Sequence, residues 1–253
     1  FYSQVWWPDL VRLAERYGIR FTGVMIENYG DDTKDDPVRQ TDNTQFEYYG
    51  GLLLRQNGEI GYHGYNHQPL VLPNTDYGNE YTYVQWPNRK AIVASLQELI
   101  AFQKDVLPAA TSSVYVPPSN ILSQEGRKII GEDVPQIRAI ASTYMPSDSS
   151  LPYIQEFGVA ADGVVEAPRI VSGGMVGDTY MRLAAVSELN MHYVSTHFMH
   201  PDDLLDEDRG AKEGWETYRK GWKIIWIGWN SRLRPFVCRL ERNALRRCND
   251  SQD

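Results

Sequence analysis

The sequence predicts an α/β fold of parallel strands alternating with helices, and three observations predict it. Strand-like and helix-like runs follow one another along the 253 residues. That alternation means right-handed crossovers, hence a barrel or an open doubly wound sheet. Neither a GxGxxG after the first strand nor a GxxxxGK[ST] anywhere is present, so both nucleotide-binding fingerprints are lacking. The length suits one large domain, predicted over 1–253.

Each element has its own signals. Trp7-Pro8-Asp9 opens a helix with Leu10, Leu13, Ala14 and Tyr17 on its apolar stripe, and Gly18 closes it. Ile19 to Ile26 is a β-rich run. A polar stretch from Glu27 to Asn43 leads to a helix through Phe46, Tyr49, Leu52 and Leu53, which ends at Asn57-Gly58. Glu59 to Tyr62 is a short strand, and Gly64 to Asn88 a long loop rich in Pro, Asn, Tyr and Gly. Arg89 to Val106 is a helix burying Ile92, Ala94, Leu96, Leu99 and Ile100. Val114 to Val116 is a strand, and Ser123 starts a short helix with Ile129 and Ile130 inside. Ile137 to Tyr144 and Val164 to Ile170 are strands. Asp178 caps a helix through Leu189, and His192 to Thr196 is a further strand. Lys212 to Leu233 is a long helix whose stripe of Trp215, Tyr218, Trp222, Ile225 and Trp229 is core packing.

Composition excludes some partners. A net charge of -8 leaves no basic excess to release counterions from a nucleic-acid backbone. No stretch approaches the roughly 18 apolar residues of a membrane span. Seven Trp and sixteen Tyr offer flat amphipathic faces that suit sugar rings, though core packing also uses them. Cys238 and Cys248, if on one continuous helix, stand about 15 Å apart, too far for a disulfide, so cysteine usage does not fix the compartment.

In a parallel barrel the chemistry sits where strands end. The most specific strand end is Glu59-Ile60-Gly61-Tyr62-His63-Gly64-Tyr65-Asn66-His67. Two imidazoles four residues apart at a strand exit can point at one cation such as zinc. The remaining three of the five histidines, His192, His197 and His200, cluster at another strand end. His197 can act there as a general acid at near-neutral pH, and His200 can do the same or orient its neighbour. His192 is structural. Asp202 and Asp203 either hold an imidazole in one tautomer or cap the following segment.

These residues carry a resemblance. His63 and His67 after the Glu-Ile-Gly strand resemble the second motif of polysaccharide deacetylases, those of carbohydrate esterase family four and its relatives. Tyr115-Val116-Pro117-Pro118-Ser119-Asn120 resembles the third, a Pro-containing strand end that lines the substrate groove. His197 resembles the late histidine that protonates the leaving amine. Trp229-Asn230-Ser231-Arg232-Leu233-Arg234-Pro235 is similar to the way such domains end. Glu166 to Gly174 resembles a branch associated with bacterial exopolysaccharide loci of the Pel type.

The resemblance implies a distorted (β/α) barrel and a metal-dependent hydrolase removing N-acetyl groups from an amino-sugar polysaccharide, outside the cytoplasm. It implies His63 and His67 as ligands of a divalent metal, zinc foremost, and His197 and His200 as catalytic. Asn120 is a candidate for the groove, and Arg169 is either a groove residue or a surface ion-pair partner. In the family two aspartates, one a ligand and one the base, precede the helix that here opens at Trp7. The chain starts at Phe1, so it is expected to lack that first strand, leaving an edge beside Ile19 to Ile26. Asp31, Asp32, Asp35 or Asp36, in the loop after that run, are the substitutes within this sequence. The alternatives are a noncatalytic polysaccharide-binding module and a metal-dependent hydrolase of a non-sugar amide.

Overall fold

The structure is a computed structural model and describes residues 2–17, 20–34, 36–73, 75, 83–141, 157–169, 171–172, 178–192 and 196–198. They fall into two compact units, one running from Ser3 to Arg169 and the other covering the chain from Ile170 on.

The first unit contains α1 (Trp7–Tyr17), β1 (Thr22–Glu27), α2 (Thr44–Arg55), β2 (Glu59–Tyr65), α3 (Arg89–Val106), β3 (Val114–Tyr115), α4 (Gln124–Asp133), β4 (Ala139–Ile140), β5 (Gly158–Val159) and β6 (Val165–Glu166). Its sheet has the order β1-β2-β3-β4-β6-β5. The first five of these are parallel, and β5 is a short antiparallel partner of β6. The sheet is therefore mixed, which corrects the expectation of parallel strands throughout. The expected strand from Val164 to Ile170 contracts to Val165–Glu166, which a turn through Asp162 and Gly163 joins to β5 as a hairpin. Among the described residues the sheet is open, with β1 and β5 at its edges.

Strand order decides where the helices go. Partners in parallel register share a face, so Met25, Tyr62, Tyr115, Ile140 and Glu166 project the same way. Gly23 lies on that face, and a Cβ there would collide with Leu53 of α2. The Tyr62 hydroxyl donates to Gln103 of α3 at 3.2 Å, and Arg127 of α4 bonds Glu166. All three helices thus cover one face, the consequence of a sequential strand order with crossovers of one hand. A doubly wound sheet would place them on both faces. The other face carries Val24, Gly61, Val114, Ala139 and Val165, all small, together with His63.

Packing, more than capping, makes α3. It buries Ile92, Leu96, Leu99, Ile100, Phe102 and Val106, and each such side chain contributes about 1.5–3 kcal/mol. Its N-cap, Asn88 Oδ1 accepting from the Ala91 amide at 2.9 Å, adds about 1 kcal/mol and fixes where the helix begins. Ser123 does the same for α4, accepting from Gly126 while donating to the Leu70 carbonyl. Arg127 then ties α4 to the hairpin, with Nε on Glu166 at 2.5 Å and two bonds to Asp162 at 2.8 and 3.1 Å. The guanidinium holds the Asp162 carboxyl below its ordinary range.

The second unit contains β7 (Val171–Ser172), α5 (Asp178–His192) and β8 (His197–Phe198), with β7 and β8 parallel. His192 ends the helix instead of entering a strand, and the strand expected over His192 to Thr196 begins at His197. The expected helix from Lys212 to Leu233 lies outside the described residues. No helix among the described residues is long and apolar enough to cross a membrane.

One buried group weakens the first unit. Tyr115 is fully buried in the sheet, and its hydroxyl has no hydrogen-bond partner among the described residues. An unsatisfied buried hydroxyl costs about 1–3 kcal/mol. Tyr115→Phe should therefore raise stability by about 1 kcal/mol, seen as a higher urea midpoint with unchanged slope. A lower midpoint would mean that the hydroxyl is satisfied.

Candidate functional site

The C-terminal ends of β1, β2 and β3 lie side by side, and local conformation there is unusual. Six non-glycine residues with positive φ occur among the described residues. Five lie just past these strands: Asn28 (59°), Asn66 (55°), His67 (55°), Ser119 (50°) and Asn120 (63°). The sixth, Asn57, follows α2. Left-handed backbone costs a side chain of this kind on the order of 1 kcal/mol or more, and it persists only where surrounding contacts enforce it.

Those contacts can be traced. Between Met25/Tyr62 and Glu27/Tyr65 the register shifts, so three steps of β2 oppose two of β1. The extra residue falls at His63–Gly64, where Gly64 takes φ 87° and a Cβ would come within 2.8 Å of Pro118. Only glycine suits that position. The Asn66 amide then bonds the Glu27 carbonyl at 2.9 Å, and the Gln68 amide bonds the Tyr65 carbonyl at 3.1 Å. The loop after β1 is fastened to the same turn. Asn66 Nδ2 donates to the Asp32 carbonyl at 2.9 Å and Gln68 Nε2 to the Gly30 carbonyl at 2.8 Å.

His63 is buried, on the sheet face opposite the helices, and its Nδ1 lies 2.7 Å from the Val116 carbonyl. A carbonyl only accepts, so Nδ1 carries the proton and the lone pair is on Nε2. A backbone carbonyl on the far nitrogen is the usual means by which a metal-binding imidazole is oriented. The His67 ring stands 5.0 Å from that of His63, inclined by 66°. Tyr29 stacks on His67 at 5.2 Å and 18°, and Tyr83 flanks it at 6.1 Å. The Tyr83 hydroxyl is hydrogen-bonded to that of Ser119. The structure thus brings the predicted His63 and His67 together, with the loop of Ser119 and Asn120 alongside.

The other predicted residues are placed differently. Asn120 is exposed, in the turn after β3. Arg169 is buried, not on the surface, and its Nε donates to the Ala141 carbonyl at 3.1 Å. It follows β6 and reaches the residue after β4, so it belongs to the same strand-end region. His197 is the first residue of β8, in the second unit, where the sequence suggested a strand end. His200 and Asp35 lie outside the described residues. Asp31 and Asp36 are exposed, and Asp32 pairs with Lys34 at 3.0 Å. Among the described residues no three His, Cys, Asp or Glu side chains converge as a metal-binding group. The two imidazoles fit a divalent cation as a partial ligand set.

Sequence reasoning missed Glu27, Tyr29 and Tyr83. Glu27 is the first polar residue after a strand-like run, a position that could have drawn attention. Its side chain is wholly buried, with Oε1 accepting from the Gln40 amide at 3.1 Å and Arg39 Nε 3.7 Å away. Arg39 in turn bonds Glu98 and Asp105. Burial pushes the Glu27 carboxyl up to about 7; nearby Glu98 adds to the rise, while Gln40 and Arg39 oppose it.

A family model described as uncharacterised proteins conserved in bacteria (DUF2194) matches residues 1–232. The chain belongs to this family. No curated protein and no solved structure matches it. For this family member the strand-end geometry is therefore the basis for a functional reading.

Glu27 makes the site's frame pH-sensitive. Its folded pKa lies above the ordinary 4.5, so the folded protein holds the proton more tightly than the unfolded chain. The resulting loss of stability is absent below pH 4.5, grows as pH rises and is complete above about pH 7. Glu27→Gln, which mimics the protonated form, should be more stable than wild type by about 1–3 kcal/mol at pH 8, and the gap should narrow towards pH 5. Urea titrations at both pH values check this. A gap independent of pH would remove Glu27 as the titrating group.

Proposed function

We propose that this chain is a metal-dependent hydrolase that removes N-acetyl groups from an amino-sugar polysaccharide outside the cytoplasm, with His63 and His67 as metal ligands. The observation that carries the reading is the His63 Nδ1 contact to the Val116 carbonyl, which fixes the tautomer of an imidazole whose ring stands 5.0 Å from that of His67. A barrel of the deacetylase type is supported by the winding of the first four strands: β1 to β4 pair in chain order, α2, α3 and α4 lie on one face, and small residues occupy paired positions of the other.

A divalent metal, zinc foremost, would polarise the amide carbonyl and lower the pKa of a bound water. His63 and His67 would hold it, His63 in the tautomer that the Val116 carbonyl fixes. Asn120, after β3, and Arg169, after β6, would bind the sugar. His197 would deliver the proton to the departing amine, with His200 supporting it. The chemistry also requires a carboxylate ligand and a base.

Metal analysis of the full chain, combined with acetate release from N-acetylglucosamine polymer, tests the reading. His63→Ala and His67→Ala should each lose the metal and more than about a hundredfold in rate, consistent with removal of a metal ligand. His197→Ala should keep the metal and lose about a hundredfold in kcat. A chain that binds polymer but neither binds zinc nor hydrolyses would be a noncatalytic binding module. Acetate release from non-sugar amides alone would point to the other hydrolase class.

A further inference from the structure

Tyr29 is 78% exposed, although it sits in one of the most firmly held loops of the first unit. Asn28 before it is in the left-handed region at φ 59°, with its Nδ2 on the Val38 carbonyl at 2.6 Å. Gly30 after it is fastened through its carbonyl to Gln68, and Asp32 through its carbonyl to Asn66. Thr33 is tied to the Gln85 carbonyl at 3.1 Å. Polar groups thus hold the backbone on both sides, while a large ring stands in water. Burial of that ring is not what the loop achieves.

The ring's orientation is also set. It lies within 18° of the His67 imidazole plane at 5.2 Å, so one face is directed at the histidine. At 78% exposure most of the ring remains in solvent. A flat aromatic face ordered in advance suits a pyranose ring, whose axial C–H groups form an apolar patch that stacks on such surfaces. Because loop and turn are already fastened, little conformational entropy is lost when a ligand arrives.

We propose that Tyr29 is a sugar-stacking residue, holding a pyranose unit of an N-acetylated amino-sugar polymer next to the unit whose amide meets the His63–His67 pair. The proposal rests on the polysaccharide reading of this site. It identifies a specificity-determining residue for polymer over monomer, since a single N-acetylglucosamine would occupy only the position at the histidines.

The test measures binding of a β-1,4-linked N-acetylglucosamine pentamer by calorimetry to the full chain, alongside zinc binding and thermal melting. Tyr29→Ala should weaken pentamer binding about tenfold, equivalent to about 1.4 kcal/mol. Tyr29→Trp and Tyr29→Phe should stay within about twofold of wild type, and zinc affinity should not change in any of the three. Pentamer binding by Tyr29→Ala equal to that of wild type would overturn the proposal. So would a parallel loss of zinc affinity, which would make Tyr29 a support for His67 instead. Wild type that binds zinc but no pentamer overturns the stacking role and leaves the metal reading standing. Wild type that binds pentamer through Tyr29 but no zinc supports the stacking role and removes the hydrolase.

Discussion

At Gly64 the backbone of β2 reaches φ 87°, and the strand gains a residue relative to β1. Everything near the histidines depends on that insertion. It ends the regular alternation just after His63 has been directed away from the helix layer. It lets Pro118 approach where any side chain would obstruct it. It also starts the turn in which Asn66 and His67 are both left-handed. A regular strand would have carried His67 onward along the sheet, away from His63. The cost of the strained turn is met by hydrogen bonds from both neighbours, Glu27 on one side and Val116 on the other.

The same turn explains why a carboxylate is buried behind it. Glu27 offers its main-chain carbonyl to Asn66 and its side chain to Gln40, so one residue fastens both ends of the loop that carries Tyr29. Arg39 offsets the buried charge only in part. It makes its hydrogen bonds with Glu98 and Asp105 and stays 3.7 Å from Glu27, where a charge pair is weaker than a hydrogen-bonded one. Desolvation therefore prevails, and the carboxyl keeps its proton nearly to neutrality.

Helices and cap residues were legible in the sequence because their signals are local. Arg89–Val106 is recovered to the residue, since eighteen positions of apolar period lie between Asn88 and Leu107. Ser123 was legible as the start of α4 for the same reason. Two-residue strands have no period to read, so β5 was missed and the strand at His197 was placed too early. The histidine pair could be found because spacing and strand exit are written in sequence. Its surroundings could not, because Tyr29, Tyr83 and the Val116 carbonyl reach it across separations that only the folded sheet closes. Glu27 was overlooked because a glutamate beginning a polar stretch reads as solvated, and its burial is a property of α3 and the loop together.

The one-sided sheet divides labour between its faces. Towards the helices stand Met25, Tyr62, Tyr115 and Ile140, which are buried in the core beneath them. On the other face Gly61 leaves little room for a side chain, since a Cβ there would come within 3.1 Å of the Val114 carbonyl. His63 stands at the end of that small-residue face. Glycine, alanine and valine thus take the paired positions of that face on β1, β2, β3, β4 and β6, while the bulky residues are kept to the face that α2, α3 and α4 cover.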